Sequence, residues 1–235
     1  MSGKPANRLS HWHMLTRTYL YINKRLRKEI MQKLGPMMSG DVLDIGAGYA
    51  QYRPLFTRAA SYVALDLDIE RAPDGIADVS ALPIRSAAVD GVVCTEVLEH
   101  VIDPDTVVTE VHRVLRDDGR LLVTVPMSWN LHYEPYDFRR YTCYGLWQLL
   151  EKHGFVISET HRVGGLFALV GSRLVDGIAT ELYRRWTFLP HRLRHAVILC
   201  YSIPMSLLFY FLSRVADGFQ RSDVMTWAVL ATKRP

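Results

Sequence analysis

The sequence predicts an α/β fold built on a mostly parallel sheet with helices on both faces, and three observations carry that prediction. Short apolar runs alternate with stretches of helical periodicity from residue 41 onward. The first run, Val42-Leu-Asp-Ile45, carries a carboxylate and passes at once into Gly46-Ala-Gly48. The next, Tyr62-Val-Ala-Leu-Asp66, again ends in an acid, about 20 residues beyond the glycine loop, where nucleotide-binding sheets place a ribose-hydroxyl acceptor.

Ahead of the sheet, Trp12, Leu15, Tyr19, Ile22, Leu26, Ile30 and Leu34 recur at three- and four-residue steps and predict a helix from Trp12 to Leu34. Lys24, Arg25, Arg27 and Lys28 make its polar side basic, and Gly35-Pro36 ends it. Strands are expected near 41–45, 61–66, 89–94, 119–125 and 155–161, with helices in most of the gaps. Asp103-Pro104 opens one helix with a capping carboxylate and a proline in the first turn, and Asp117-Asp-Gly119 turns the chain into the fifth strand. Thr142 caps a helix that runs to His153 and stops at Gly154, and Trp227–Thr232 is the last strand.

The glycine loop has two readings. Gly46 and Gly48 can serve a plain strand-to-helix turn capped by Asp44, or they can bring backbone close to a ligand held by Asp44. The second acidic strand tip favours the ligand. Several segments in order then resemble the Rossmann-like S-adenosylmethionine-dependent methyltransferases: the Asp44 junction, Asp66, Ala77-Asp-Val-Ser-Ala-Leu-Pro83, Asp90–His100 and Arg113–Pro126. The resemblance covers roughly residues 41 to 126. It implies a Rossmann-like seven-stranded, mostly parallel sheet whose final strand inserts antiparallel beside the fifth, and S-adenosyl-L-methionine as cofactor. The implied contacts are Asp44, Gly46 and Gly48 at the loop, Tyr49 closing over it, Asp66 with Leu67 at the ribose, Asp78 and Val79 at the adenine, and Glu96 nearby. Glu99 and His100 are expected to orient the loop on the cofactor side. Ala50 stands where the family usually has a third glycine, and is small enough to begin a helix. A dinucleotide fingerprint would need glycine at Gln51, so that reading is disfavoured.

At 235 residues the chain suits one domain: a basic helix over 1–35, a cofactor-binding core over 36–161, a hydrophobic helical insertion over 162–222 and a final strand over 223–235. The net charge of +4 conceals values of +7, −9 and +6 for residues 1–35, 36–161 and 162–235. An acidic core between basic flanks points to an anionic surface. Cys94, Cys143 and Cys200 lack paired metal-ligand spacing, so free thiols in a reducing, cytoplasmic setting and no metal are expected. No signal-peptide core follows Lys4 and Arg8.

Ala196–Ser213 is uncharged and apolar at the lower edge of spanning length, with Pro204 inside it and Arg184, Arg185, Arg192 and Arg194 before it. A single crossing would strand Trp227–Thr232 away from its sheet. The expectation is therefore a hairpin lying on the inner face of a membrane, or else a lid or dimer contact. The loop Pro126–Thr142 emerges beyond the fifth strand and is rich in polar and aromatic groups. His132 is the first choice of general base there, with Glu134 and Asp137 as alternates. Asp137 has a structural reading too, pairing with Arg139 or Arg140. Together these features predict methyl transfer to a small acceptor, lipid-linked or membrane-partitioned, of quinone, polyprenyl or glycolipid type. The alternatives are other chemistry on the same cofactor, a nucleic-acid methyltransferase, or a non-catalytic binding module. Nucleic acid is not the expected partner, and oligomeric state is left open.

Overall fold

The computed structural model describes residues 21–218 and 222–234, so the expected helical positions Trp12 to Tyr19 lie outside the described residues. The chain forms two compact units, one from the described residues of 28–163 and 225–235, the other from those of 1–27 and 164–224. The second unit joins the described residues before Lys28 to residues 164–224.

The first unit holds a seven-stranded sheet in the order β3-β2-β1-β4-β5-β7-β6. Its strands are β1 (Ser39–Ile45), β2 (Arg58–Asp66), β3 (Gly75–Ile76), β4 (Val89–Thr95), β5 (Leu115–Pro126), β6 (Phe155–Val163) and β7 (Thr226–Lys233). Neighbours from β3 to β5 are parallel, and β7 runs antiparallel to both β5 and β6, as the resemblance implies. Continuous apolar runs such as Leu121, Leu122 and Val123 are buried throughout, which is how a strand covered on both faces reads. Strand order reverses between β1 and β4, so the crevice beyond their carboxyl ends is the place where open α/β sheets bind ligands.

Helix α1 covers Tyr21–Leu34, with Ile22, Leu26, Met31 and Leu34 buried and Arg25 and Lys28 exposed. Helix α2 (Pro104–Val114) starts where Asp103 accepts from the Asp105 and Thr106 amides, and it buries Val107, Val108, Val111 and Val114. Helix α3 (Cys143–Lys152) is capped by Thr142, whose hydroxyl accepts from the Gly145 amide. The turn expected at 117–119 is a bulge inside β5: Leu115 pairs with Val89, and pairing resumes at Arg120 with Gly91.

One expectation needs correction. Ala50 does not begin a helix: its φ is +46°, and a short 3-10 turn at Arg53–Leu55 is the helical element between β1 and β2. Among the described residues, α-helices follow β4, β5 and β6 in the chain, while turns and irregular segments fill the earlier gaps.

In the second unit, α4 (Leu166–Arg185) and α5 (His191–Ala216) follow each other across a short loop. Asp217, just past α5, accepts from the amides of Gly165, Phe167 and Ala168 and so caps the start of α4. A β-carbon at Gly171 would sit 2.3 Å from Phe209, so glycine is what lets the two helices approach. Helix α5 runs unbroken for 26 residues, with Pro204 inside it.

Candidate functional site

Asp44, the next-to-last residue of β1, is a buried carboxylate with 2% exposure. Tyr62 donates its hydroxyl to Oδ2 at 2.6 Å, while Oδ1 is buried with no hydrogen-bond partner among the described residues. Burial pushes the carboxyl up to about 7; the Asp66 charge adds to this, and the Tyr62 hydrogen bond and Arg53 oppose it. Burial and the Asp44 charge raise the Tyr62 phenol as well, so it remains a donor.

Gly46 and Gly48 both have positive φ, +62° and +55°. A β-carbon at Gly46 would lie 2.5 Å from Val97, so this turn tolerates no side chain. Asp66, at the tip of β2, accepts from the Gly48 amide through one oxygen and from the Asp68 amide through the other, both at 2.8 Å. A carboxylate has about four acceptor positions, so two remain for hydroxyls. The left-handed φ of Ala50 gives it the backbone that a third glycine would take without strain.

Leu67 and Ile69, just beyond Asp66, are exposed apolar side chains. Asp78 is exposed and accepts from both the amide and hydroxyl of Ser80, which hold its carboxyl below the usual range. Val79 beside it is buried and belongs to the apolar core cluster. Tyr49 is exposed, with the Arg71 guanidinium 5.3 Å from its ring centre.

Glu96 follows β4 with φ +55°, its amide bonded to the Thr124 carbonyl and its carboxylate accepting from the Thr124 hydroxyl at 3.1 Å. The turn Leu98–His100 comes next, with Glu99 fully buried. Phe138 donates its amide to the Glu99 carbonyl, and Arg139 donates to the Val101 and Ile102 carbonyls, bracing this turn against the Pro126–Thr142 loop. The His100 and His132 rings meet edge to face at 4.7 Å. Desolvation lowers the His100 pKa, chiefly against the Tyr136 carbonyl that its Nδ1 contacts at 2.6 Å.

The three nominated catalytic residues separate. Asp137 is gripped by Arg140 through two hydrogen bonds of 2.6 and 2.7 Å, and accepts the His132 amide. The Arg140 guanidinium holds its carboxyl far below the ordinary range, so Asp137 is a brace for the loop and not a proton acceptor. Glu134 is exposed on the same loop. His132 alone joins a cluster, with Glu99 and His100, in which one ligand atom from each residue lies within 4.8 Å of the others. Sequence reasoning missed that convergence because the residues come from loops after two adjacent strands. It also missed Tyr62, whose partner lies across the sheet at a separation of 18 residues.

The residues fit the cofactor that the resemblance implies. A buried carboxylate oxygen lacking a partner among the described residues suits an ammonium group, the two glycines clear a close approach, and Asp66 keeps lone pairs for ribose hydroxyls. A family model described as "Methyltransferase domain" matches residues 43–123. A probable S-adenosylmethionine-dependent methyltransferase of Mycolicibacterium smegmatis is 31% identical over 157 residues, a match spanning 58% of this chain and 60% of that protein. Among solved structures, the 1,6-didemethyltoxoflavin-N1-methyltransferase of Burkholderia thailandensis, with S-adenosylhomocysteine bound, superposes with a TM-score of 0.55 at 16% identity, covering 100% of this chain and 94% of that one. The [4+2]-cyclase SpnF superposes at 0.58 with 17% identity, covering 88% and 80%, so this fold also carries other chemistry. Sheet order, strand-tip acids and the matching domain agree in making this chain similar to the Rossmann-like S-adenosylmethionine-dependent methyltransferases.

Proposed function

We propose that this protein transfers a methyl group from S-adenosylmethionine to a small, membrane-partitioned acceptor. The observation that carries the donor half is the buried Asp44 carboxylate beneath the glycine loop, with one oxygen satisfied by Tyr62 and the other without a hydrogen-bond partner among the described residues. When bound, the cofactor supplies an electrophilic methyl on a sulfonium. Asp44 is suited to holding the ammonium end and Asp66 to holding the ribose hydroxyls. Leu67 and Ile69 offer an apolar shelf for the purine, and Asp78 keeps one carboxylate oxygen clear of Ser80 for its amino group. The work left to the protein is positioning the acceptor and handling its proton. That task falls to the Glu99–His100–His132 cluster, braced by the Asp137–Arg140 pair.

The acceptor half rests on α5. It is long and apolar enough to cross a membrane by length and composition, and Ile203, Leu207, Leu208, Phe211 and Val215 are exposed on it. Neighbouring α4 carries Arg173, Asp176 and Glu181, which suits a hairpin lying in the interface and not one crossing it. Flotation with anionic vesicles tests this. The wild type should float, and the Leu207→Asp/Phe211→Asp variant should remain at the bottom while still binding S-adenosylhomocysteine. A wild type that stays unbound removes the membrane half. Lipid extracts of cells with and without the gene should then differ by the mass of one methyl group on the acceptor.

A further inference from the structure

We propose that Glu99, His100 and His132 form a binding site for a divalent transition-metal ion, with open positions for an oxygen of the acceptor. Each residue offers one ligand atom, and these atoms lie within 4.8 Å of one another, close enough to share a single ion. Two imidazoles with one carboxylate favour zinc, manganese, iron(II) or cobalt over calcium or magnesium, which prefer all-oxygen sites.

The outer contacts match what metal-binding histidines require. Nδ1 of His100 lies 2.6 Å from the Tyr136 carbonyl, and Nδ1 of His132 lies 3.0 Å from the Asn130 carbonyl and 3.2 Å from Asp137 Oδ2. These oxygens can only accept from a ring nitrogen, so each Nδ1 carries the hydrogen and each Nε2 is left with its lone pair. Glu99 Oε1 stands 3.7 Å from His100 Nε2, and the Glu99 side chain is fully buried. The three side chains thus turn one carboxylate oxygen and two imidazole nitrogens toward a common point.

The supports are rigid. The Glu99 carbonyl takes the Phe138 amide, Tyr141 donates to the Leu98 carbonyl, and Arg140 fixes Asp137 beneath His132. With three protein ligands, an ion keeps positions for water or for an acceptor hydroxyl, whose proton it would make easier to lose to water. That last role rests on the proposed methyl transfer; binding of the ion does not.

The test uses the full chain, stripped with a chelator and titrated with cobalt(II). One equivalent per chain should bind, with visible d–d absorption, and zinc should displace it. His132→Gln and His100→Gln should each weaken binding at least 100-fold, while S-adenosylhomocysteine affinity by calorimetry stays within about threefold and so reports an intact fold. His132 is half-exposed, so its variant tests the site even if the His100 variant does not fold. No cobalt bound by the wild type at millimolar concentration, or binding that survives the His132 substitution in folded protein, overturns the site. Metal binding in a chain that fails to bind S-adenosylhomocysteine would sink the methyl-transfer reading and leave the metal site standing.

Discussion

Asp44→Asn should make the protein more stable at neutral pH while impairing its cofactor site. Asp44 has an ordinary carboxyl value of 3.8 and is raised to about 7 in the fold, above all by burial. Between those values the folded chain holds more proton on Asp44 than the unfolded chain does, so stability falls as pH rises through the window. Below pH 3.8 this contribution is fully present; above about 7 it is gone. The shift corresponds to about 4 kcal/mol at full ionisation. Asparagine keeps an oxygen for the Tyr62 hydroxyl and carries no charge, so it escapes this cost. Urea unfolding of the wild type and the variant at pH 5, 6, 7 and 8 provides the assay, since other titrating groups cancel in the difference. The advantage of the variant should grow by about 2 kcal/mol from pH 5 to 7 and then flatten, with a Tm gain of about 10 °C at pH 8. Cofactor affinity should fall at every pH. A stability difference that does not change with pH, or a variant less stable at pH 8, would refute the burial argument.

Asp66→Ala should abolish the calorimetric signal for S-adenosylhomocysteine, because it removes the proposed ribose acceptor and frees the Gly48 and Asp68 amides together; unchanged binding would remove Asp66 from the site. Arg140→Ala should cost about 3 kcal/mol in chemical unfolding, since it leaves the Asp137 carboxylate, 1% exposed, without its bidentate partner. Ala50→Gly should be neutral or stabilising by up to about 1 kcal/mol, the reverse of the usual sign, because the φ of +46° already penalises the β-carbon. Under native conditions an alkylating reagent should label Cys200 and Cys143 and spare Cys94, whose thiol is buried and pushed above its normal range.

The sheet was legible because its signals are local. A strand covered on both faces reads as a run of Val, Ile and Leu, and Asp103, Thr142 and Gly154 mark helix ends through hydrogen bonds to residues only a few positions away. Strand β3 went unplaced because it is two residues long, too short to show any period. The helix expected at Ala50 failed for a related reason. Alanine favours helix by propensity, but the loop closes through the Ala47 amide to the Leu65 carbonyl and the Gly48 amide to Asp66, and those long-range bonds set the backbone instead.

Half of the site depends on a different kind of information. Asp44 and Asp66 could be found singly, since a carboxylate at the tip of an apolar strand is conspicuous wherever it occurs. Their environment could not, because Tyr62 reaches Asp44 only once β1 and β2 pair in parallel. The same applies more strongly to His132. In the sequence it is one polar residue in a polar loop, and Asp137 and Glu134 look equally able to take a proton. Folding breaks that equality: Arg140 removes Asp137 from acid–base chemistry, Glu134 faces solvent, and the pairing of β4 with β5 brings His132 against His100 and Glu99. The chemistry of this loop is therefore set by neighbours more than 30 residues away in the chain, which reach His132 only once the two strands have paired.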